Sequence, residues 1–383
     1  MNRKLKKLVF FPSDPISSYI EKGKTYDFLE KYYNPGGYFD ELYCLSPWGE
    51  DKEETLGKIH YIKSSPSKFR KIIKKIEPDI VRGYGGYWCS DWVSISKISG
   101  IPTVVSVHDT NPDIIYDSLI YADAIICMSH AVKNAVLKKV PNVTSNIWVI
   151  PNRIDIELFS PSYNYNFIKM QNEKFGPGKH ILHIGRKTEQ KNIDTVIKSL
   201  NYIDEEVSCV FIGKGDVEKY KNIAKNEGVS EKCFFLDRVE NEELPLWYTW
   251  CDCMCTPSRW EGFGYVFVEA AACEAAIVTS NIGPMNEYLI NGVNAILVDN
   301  YENPEAIGEA ILKAISNSEE IENMKKNARK IAYNFSENKI NELEISAYEQ
   351  IMNIQPNNKT NNRLRFKILK QDYKNIIMRG KMK

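Results

Sequence analysis

The fold of this chain is decided by the stretch Ser258-Arg-Trp-Glu261-Gly262-Phe263-Gly264-Tyr-Val-Phe-Val-Glu269-Ala-Ala-Ala272. A loop with a carboxylate and two glycines runs into an alanine-rich segment, which is typical of a helix packed tightly against a sheet. Glu261 precedes this helix and Glu269 lies about one turn inside it. Gly262 and Gly264 let the backbone approach a ligand closely, and the free N–H groups of the first helical turn form an anion site. The pattern predicts two acids and an anion site in one cleft.

At these residues the sequence resembles the retaining glycosyltransferases of family 4, which have the GT-B fold. Family members carry Glu-Gly-Phe-Gly and a second Glu after seven intervening residues, the spacing between Glu261 and Glu269. The resemblance implies an α/β protein with two Rossmann-like domains that face each other across a deep cleft. It also implies that Glu261 holds the transferred sugar, that Glu269 binds the ribose, and that the donor site includes Phe263, Gly264 and Tyr265. The alternative is an ordinary strand–loop–helix unit with turn glycines and exposed glutamates.

Length and composition agree with two domains and exclude several classes of partner. The chain has 383 residues, of which 43% are hydrophobic, and this is long for a single core. Lys+Arg and Asp+Glu both number 50, so no overall basic bias points to nucleic acid. The nine cysteines follow no small-domain pattern, and neither a signal peptide nor a membrane-spanning apolar run is evident. We expect a cytoplasmic protein with reduced thiols.

Three alternating cysteines raise the question of a metal site. Cys251, Cys253 and Cys255 precede Thr256-Pro257, but no fourth ligand has zinc spacing. A buried strand whose small hydrophobic side chains share one face is the simpler interpretation. The chain also has no Asp-x-Asp sequence with which a metal could bridge a diphosphate. We therefore expect no metal and no cofactor, with a nucleotide diphosphate sugar as substrate and protein cations on its diphosphate.

Strand and helix patterns alternate twice along the chain and predict its division into domains. The N-terminal Rossmann-like domain, on the acceptor side, is expected over residues 1–155, and a linker with a first surface helix over 156–178. The nucleotide-sugar-binding domain follows over 179–333. Residues 334–358 are predicted as a helix that crosses back onto the first domain, as in GT-B enzymes, and 359–383 as a basic amphipathic tail.

In open α/β sheets ligands bind beyond the carboxyl ends of the strands, so the strand ends of the N-terminal domain supply candidates. Gly23 and Lys24 follow the first strand, and we expect them near the donor phosphates because many family members have a glycine pair there. The later pair Gly36-Gly37 is better explained as a turn that ends a helix. His108 follows the strand Ile101–Val107. Family members have a histidine here that contacts the transferred sugar, although a lone histidine is most often structural.

The segment Pro151–Asp155 resembles the family's crossover between domains and contributes Asn152 as a candidate substrate contact. A glycine is usual in the family where Arg153 stands, and Arg153 would be strained if that position required a positive φ. A second departure follows Glu269. The family has a Gly and then Pro-Val, whereas this chain has Glu274 and Ala276 in the corresponding region. We expect the turn between helix and strand to be looser than in the family.

Basic residues and glycines follow the strands predicted in the C-terminal domain. The strand His180–Ile184 leads to Gly185, Arg186 and Lys191. Cations placed after a strand, at the start of a helix, can bind phosphate, although solvated loop charges are the alternative. The family's Gly-Arg…Lys motif holds the diphosphate with these two cations, and the resemblance assigns that role to Arg186 and Lys191. Two later strands end at residues expected near the nucleotide base: Gly213, Arg238 and Val239.

The predicted function is transfer of a hexose from a UDP- or GDP-linked sugar to the hydroxyl of a sugar, glycan or lipid-linked acceptor, in glycan or glycoconjugate synthesis. The resemblance implies retention at the anomeric carbon. Arg186, Lys191 and the helix N–H groups after Gly264 would stabilise the charge that grows on the leaving diphosphate. Two alternatives remain open. One is a nucleotide-sugar epimerase or phosphorylase on the same fold, and the other is a catalytically silent nucleotide-sugar-binding subunit.

The C-terminal tail has a composition of its own. From Lys359 onward it holds nine Lys or Arg and one acid, Asp372, with interleaved Leu, Ile, Phe and Met. Basic amphipathic segments of this kind bind anionic membrane surfaces. The tail is therefore a candidate for peripheral contact with the inner face of a membrane, with an acidic partner or plain solvent exposure as alternatives.

Overall fold

The computed structural model describes residues 5–48, 54–316 and 318–370, which form two compact units. The N-terminal unit contains the chain up to Pro151 and the residues from Asn341 onward, and the C-terminal unit is Asn152–Ile340. Each unit is built on a largely parallel sheet covered by helices. The predicted α/β class with two Rossmann-like domains is confirmed.

The N-terminal unit alternates strands and helices along the chain. Its strands are β1 (Lys7–Phe11), β2 (Glu41–Ser46), β3 (Glu54–Leu56), β4 (Ile59–Lys63), β5 (Ile80–Tyr84), β6 (Thr103–Val107), β7 (Ala124–Cys127) and β8 (Asn146–Val149). Its helices are α1 (Ile16–Glu21), α2 (Tyr26–Tyr33), α3 (Pro66–Ile76), α4 (Trp88–Ser96) and α5 (His130–Lys139). The strand order is β3-β4-β2-β1-β5-β6-β7-β8, and only the edge strand β3 pairs in the antiparallel sense with its neighbour.

One face of this sheet is covered by α3, α4 and α5. Strand side chains such as Val9, Val105 and Ile125 belong to the same buried cluster as helix side chains such as Phe69 and Val132. The strands read as continuous apolar runs because helices and connecting segments bury both faces of a central parallel strand. At the amino end of β6 and β7, the buried ion pair between Lys97 and Asp123 joins the segments that precede these strands.

The C-terminal unit repeats this arrangement with six parallel strands. They are β9 (Lys179–Ile184), β10 (Val207–Ile212), β11 (Cys233–Leu236), β12 (Cys253–Cys255), β13 (Ile277–Ser280) and β14 (Ile296–Val298), in the order β11-β10-β9-β12-β13-β14. The helices are α6 (Tyr165–Phe175), α7 (Ile193–Ser199), α8 (Val217–Asn226), α9 (Leu244–Trp250), α10 (Tyr265–Ala272), α11 (Pro304–Ala314) and α12 (Glu319–Ala332). The alanine-rich segment of the deciding stretch is α10, as its composition predicts.

The segment 156–178, proposed as a linker with a first surface helix, contains α6 and packs within the C-terminal unit. Phe159 is buried, and the ring of Phe175 at the end of α6 lies 5.0 Å from that of Phe234 and 5.6 Å from that of Trp250. Ile154 pairs with Ser336 near the end of the unit. The last long helix, α13 (Glu337–Met352), contains the division between the two units. Aromatic burial explains why the linker region is ordered despite its polar composition.

The three alternating cysteines are buried, and two of them form β12, so their side chains serve the core as the simpler interpretation predicted. Across residues 5–48, 54–316 and 318–370, no three His, Cys, Asp or Glu side chains are grouped so that they could hold a metal ion. In the same ranges no helix is both long enough and apolar enough to span a bilayer.

Candidate active site

The loop between β12 and α10 ends at Gly264, whose backbone is left-handed with a φ of 87°. A Cβ atom at this position would lie 2.5 Å from Cδ2 of Phe267, so only glycine fits. Tyr288, which lies outside this loop in the sequence, holds it through its hydroxyl, which donates to the carbonyl of Phe263 at 2.8 Å. As a result the first turn of α10 begins directly after the loop that carries Glu261, and its backbone N–H groups lie at the carboxyl end of the sheet.

Glu261 is the acid of this loop, and its side chain is held on both sides. The residue is 7% exposed. Its Oε1 atom accepts hydrogen bonds from Ser258 Oγ at 2.8 Å and from Lys191 Nζ at 2.5 Å. Gln190 Nε2 lies 3.5 Å from Oε2 and donates to the carbonyl of Trp260 at 2.9 Å. The carboxylate is therefore oriented by residues from two different loops.

Lys191 ends a 3-10 turn, Glu189–Lys191, that follows β9. Its side chain crosses Gly185, where a Cβ atom would lie 2.9 Å from Lys191 Cε and where φ is 154°. The buried His183 of β9 has its Nε2 3.0 Å from the Lys191 carbonyl oxygen, and Nε2 must donate because a carbonyl only accepts. Burial lowers the pKa of His183 to about 4, so the ring is neutral at neutral pH. Gly185 thus leaves room for the Lys191 side chain, and His183 holds the Lys191 backbone in place.

Arg186 is exposed, in contrast to Lys191. Its Nη2 donates to Gln190 Oε1 at 3.3 Å, and Gln190 in turn reaches the Glu261 loop. The structure therefore brings together three predicted residues, Arg186, Lys191 and Glu261, through Gln190, at the carboxyl edge of the sheet.

The ends of β9, β10 and β11 are joined by a residue that sequence analysis missed, Lys187. Its buried ammonium donates to the carbonyl of Leu236 at 2.6 Å and to the carbonyl of Gly213. Burial lowers the pKa of Lys187. Gly213 is also required sterically, since a Cβ atom there would lie 2.1 Å from the Gly185 carbonyl oxygen. Gly185 and Gly213 act by allowing three strand ends to approach one another.

Arg238 and Val239 follow β11 at the same edge. Arg238 is exposed and its Nη2 lies 3.0 Å from Glu240 Oε2, while Val239 is half-buried. Both lie two or three residues after Leu236, whose carbonyl accepts from Lys187. Both residues follow the end of a strand, and their contact with a nucleotide base stays a prediction.

Three predicted donor contacts around α10 differ in their surroundings. Phe263 is buried and its ring packs against Phe335 at 5.4 Å, and its contact with the donor stays a prediction. Tyr265 is exposed at the first position of α10. Glu269 is half-buried and accepts a hydrogen bond from the hydroxyl of the buried Tyr248 at 2.9 Å. Burial and the Glu269 carboxylate raise the pKa of Tyr248 well above its ordinary value.

A further cation, Arg259, joins the loop that carries Glu261 to the turn that ends at Lys191. Its guanidinium donates to both oxygens of Asp194 at 3.1 and 3.0 Å and to both oxygens of Glu302 at 2.7 and 3.0 Å. It also donates to the carbonyl of Glu189 at 2.7 Å. Bidentate pairs of this kind add geometric precision as well as energy. Arg259 is a positioning residue, because it binds the carbonyl of Glu189 in the 3-10 turn that ends at Lys191.

His108, in the N-terminal unit, follows β6 as predicted and is half-buried. Its Nε2 atom is buried and has no hydrogen-bond partner among the described residues. Burial, with the charge of Arg82 nearby, lowers the pKa of His108 to about 4. Arg82 contacts Glu344 and Tyr348 of α13 and donates to Ser106 Oγ at 2.9 Å. His108 is thus neutral at neutral pH, and its contact with a sugar stays a prediction.

Gly23 and Lys24 have local roles in the structure. Gly23 has a φ of 81° and its N–H donates to the Ile20 carbonyl at 2.9 Å, so it ends α1, two residues before Thr25 caps α2. The Lys24 ammonium lies 4.3 Å above the Phe28 ring. Local backbone geometry explains this glycine without a ligand, and the phosphate contact of both residues remains a prediction.

Asn152 is half-buried at the first position of the C-terminal unit. The strain considered for its neighbour Arg153 does not occur, since the non-glycine residues with positive φ among those described are Glu77, Asn192 and Glu274. Glu274 has a φ of 56° and lies in the region where the family has a glycine. Arg329 holds this turn, since it pairs with Glu274 at 3.6 Å and donates to the carbonyl of Ala272 at the end of α10.

Sequence analysis missed several residues that shape the site, among them Ser258, Gln190, Lys187 and Arg259. Ser258 and Glu261 have the Ser-x-x-Glu spacing of a capping box, but the Ser258 hydroxyl donates to the Glu261 carboxylate and caps no helix, so that spacing does not predict their contact. Gln190 and Lys187 stand beside the motif residues Lys191 and Arg186, but nothing in their spacing distinguishes them from loop residues. Their contacts with Trp260 and Leu236 depend on the packing of distant loops.

Models of two protein families match adjacent parts of the chain. The model described as glycosyltransferase family 4 matches residues 52–158, and that described as glycosyl transferases group 1 matches residues 164–331. The second match covers Gly185, Lys191, Glu261 and Glu269. Together the two matches span most of both units.

Individual relatives agree with these matches. The chain is 26% identical over 291 residues to an uncharacterized glycosyltransferase of Methanocaldococcus jannaschii, which covers 73% of this chain and 77% of that protein. It is 26% identical over 332 residues to spore coat protein SA of Bacillus subtilis, covering 78% and 86%. Among solved structures, Anabaena HepE in complex with UDP superposes with a TM-score of 0.73 at 18% identity, over 90% of this chain and all of that one. HepE has also been solved in complex with UDP-glucose.

Proposed function

Because this chain belongs to the group 1 glycosyl transferases of the family 4 type, with the GT-B fold, we propose that it transfers a hexose from a nucleoside diphosphate sugar to an acceptor hydroxyl with retention of configuration. The glycosyltransferase class follows from the family. The donor, the stereochemistry and the absence of a metal requirement are the proposal. HepE, with the same fold, binds UDP and UDP-glucose, which makes a uridine diphosphate sugar the first donor to test.

The observation that carries the proposal is the ion pair between Lys191 and Glu261, held at the carboxyl edge of the sheet by Gln190 and Ser258. Breaking the glycosidic bond places negative charge on the leaving diphosphate and positive charge on the sugar ring. Lys191, Arg186 and the first N–H groups of α10 are donors for the diphosphate, and the Glu261 carboxylate suits the sugar side. A pair that already holds both charges in one orientation needs little rearrangement when the reaction separates charge.

The energetic weight of the cations can be bounded from their charge. A cation about 4 Å from a unit negative charge contributes on the order of 4 kcal/mol at an effective dielectric of about 20. That magnitude corresponds to roughly a thousandfold in rate. Protein cations of this strength can replace a divalent metal on the diphosphate, and we therefore propose that transfer does not need one. Activity in excess chelator, compared with activity in added Mg²⁺ or Mn²⁺, tests this point, and a tenfold loss in chelator that Mn²⁺ restores would contradict it.

The donor can be identified by thermal shift and by turnover. We expect one of UDP, GDP, ADP or dTDP to raise the melting temperature more than the others, and the matching labelled sugar nucleotide to transfer label only when acceptor extract is present. Label released equally without acceptor indicates an epimerase or hydrolase, and release that requires inorganic phosphate indicates a phosphorylase. Binding without turnover under every condition indicates a silent binding subunit.

Two glutamate variants test the orientation of the site. Glu261→Gln should leave the affinity for free nucleoside diphosphate almost unchanged and should lower turnover strongly, because its proposed contact is the sugar. Glu269→Gln should weaken nucleoside diphosphate and sugar nucleotide alike, by about 1 to 3 kcal/mol, if it binds the ribose. Calorimetric titration of both variants with both ligands makes the comparison. Loss of nucleotide affinity in Glu261→Gln, with no loss in Glu269→Gln, would reverse the assignment.

The acceptor is proposed to be a sugar, a glycan or a lipid-linked sugar. His108 is proposed to contact the sugar that is transferred. The proposed location is the cytoplasm, in keeping with nine cysteines that all have free thiols. Part of the tail considered for membrane contact, residues 371–383, lies outside the described residues.

A further inference from the structure

We propose that the outer helical layer of the N-terminal unit, formed by α3, α5 and the tail helix (residues 362–370), is a docking surface for an anionic lipid bilayer. The inference does not depend on the transfer chemistry, because it concerns residues outside the candidate active site. It also goes beyond the tail alone, since two helices of the folded unit supply most of the charge.

The first two helices lie on the same face of the eight-stranded sheet. Phe69 and Ile73 of α3, and Val132 and Val136 of α5, belong to one buried cluster that also contains residues of α4 between them in the chain. Each helix turns these apolar residues to the sheet, so its remaining side chains face away from it. The outward faces of α3 and α5 are therefore parts of one layer.

The tail helix is attached to the same layer through α4. The N–H of Asn361 donates to the carbonyl of Ser94 at 3.4 Å, and the Asn361 side chain caps the tail helix at the N–H of Leu364. Further along, the charge of Lys367 acts on the half-buried carboxyl of Asp91. The N–H of Asn357 donates to Asp123 at 2.8 Å, which fixes the approach to the helix. The tail helix thus follows α4 and adds to the layer that α3 and α5 begin.

The charge of these three segments is of one sign. The sequence of α3 contains five Lys or Arg, that of α5 contains three and residues 362–370 contain four, and none of the three segments contains Asp or Glu. The whole chain has no net charge, so the other surfaces are correspondingly acidic. The cations are Lys68, Arg70, Lys71, Lys74, Lys75, Lys133, Lys138, Lys139, Arg363, Arg365, Lys367 and Lys370.

Exposed apolar side chains among these charges favour a bilayer over a nucleic acid. Phe366 is 70% exposed, Leu369 44% and Leu137 40%. A helix with cations and exposed apolar side chains can place the former at lipid phosphates and the latter among the acyl chains. A nucleic acid would neutralise the charges but would leave these side chains in water.

Sedimentation of the full-length protein with vesicles tests the surface. Vesicles of phosphatidylcholine with about one third phosphatidylglycerol should bind the protein, vesicles of pure phosphatidylcholine should not, and binding should fall steeply with added salt. Lys71→Gln, Lys74→Gln and Lys75→Gln together should weaken binding at least tenfold. The matched control neutralises three exposed lysines of α8 (Lys219, Lys221 and Lys225) and should leave binding unchanged. Phe366→Ser with Leu369→Ser should weaken binding without changing the net charge.

Several outcomes would overturn the proposal. Equal binding to neutral and anionic vesicles, or equal loss in the α3 and α8 variants, would remove the role of this surface. Loss of binding only when the tail cations are replaced (Arg363, Lys367 and Lys370 by Gln) would restrict contact to the tail, and tighter binding to RNA than to vesicles would identify a different partner. Unchanged melting temperatures check folding. Transfer to a water-soluble acceptor should be unaffected in the α3 variant, so a failure here is distinct from a failure of the proposed activity.

Discussion

Each unit contains a buried pair of lysine and carboxylate, but the two pairs differ in how completely their hydrogen bonds are used. In the N-terminal unit, Lys97 donates to Asp123 and to the Tyr121 carbonyl, both at 2.7 Å. Asp123 also accepts from the N–H and the hydroxyl of Thr103 and from the N–H of Asn357. In the C-terminal unit, Lys191 donates to Glu261, and its ammonium makes this one hydrogen bond among the described residues.

The difference indicates what each pair does. A buried charge is tolerated when hydrogen bonds satisfy it, and the Lys97 pair meets that condition within the protein. An ammonium can donate three hydrogen bonds, and Lys191 retains capacity for further acceptors at the carboxyl edge of its sheet. The first pair is a structural connection between segments, and the second is suited to receive a ligand. Four predictions can break or sharpen this comparison.

The largest effect is expected on stability, at the structural pair. Lys97→Met leaves the Asp123 carboxylate buried without its cation, and we expect the free energy of unfolding to fall by about 3 to 5 kcal/mol. Urea denaturation measures it. Lys138→Met, which removes an exposed lysine of α5, should change stability by no more than about 0.5 kcal/mol. A similar loss in both variants would mean that the satisfied pair has no special structural role.

The second effect is expected on rate. Lys191→Ala should lower kcat by about 10² to 10³-fold, because it removes a donor to the developing charge of the diphosphate. Its unfolding free energy should fall less than that of Lys97→Met. Lys214→Ala, at an exposed lysine after β10, is the control and should retain transfer activity. Loss of stability without loss of kcat would make the Lys191 pair structural as well.

The third effect tests the support beneath Lys191. Folding lowers the pKa of His183 from 6.5 to about 4, so the unfolded chain binds a proton between these values that the folded chain does not. Stability should therefore rise with pH in this window, and His183 should contribute a loss of about 2 kcal/mol between pH 7 and pH 5. Urea titrations at both pH values measure this loss. In His183→Gln the free energy of unfolding should fall by about 2 kcal/mol less between pH 7 and pH 5. An unchanged difference would show that His183 does not titrate as its burial implies.

The smallest effect concerns a third pair, Glu274 with Arg329, whose side chains are partly exposed and separated by 3.6 Å. Exposed pairs contribute little, whereas a left-handed backbone at a non-glycine residue costs about 1 to 2 kcal/mol. Glu274→Gly should therefore raise the free energy of unfolding by up to about 1 kcal/mol. Glu274→Ala keeps the strain and loses the pair, so it should give no gain. Destabilisation by both changes would show that the pair outweighs the strain.

The alternation of apolar runs with helical patterns was enough to predict the α/β class and two domains, because parallel strands that are buried on both faces leave a strong pattern in the chain. The motif residues that the structure groups, Arg186, Lys191 and Glu261, were also predicted. Arg186 and Glu261 each stand next to a glycine, whereas Lys191 was singled out by its resemblance to the family's Gly-Arg…Lys motif. Burial of Phe159 and Phe175, which the polar composition of the expected linker does not indicate, decides that this segment packs into the C-terminal unit.

Sequence by itself determined the family, the two parallel sheets and the chemistry present at the strand ends. Only the tertiary structure decided which of those residues act on one another. Gln190 reaches the Glu261 loop, and Lys187 reaches the carbonyl of Leu236, through contacts between residues 49 to 71 positions apart. It also decided that Glu274 keeps its turn in a left-handed conformation while Arg329 binds the end of α10. Local pattern reports backbone preference and burial, but hydrogen bonds between distant loops depend on where packing brings those loops.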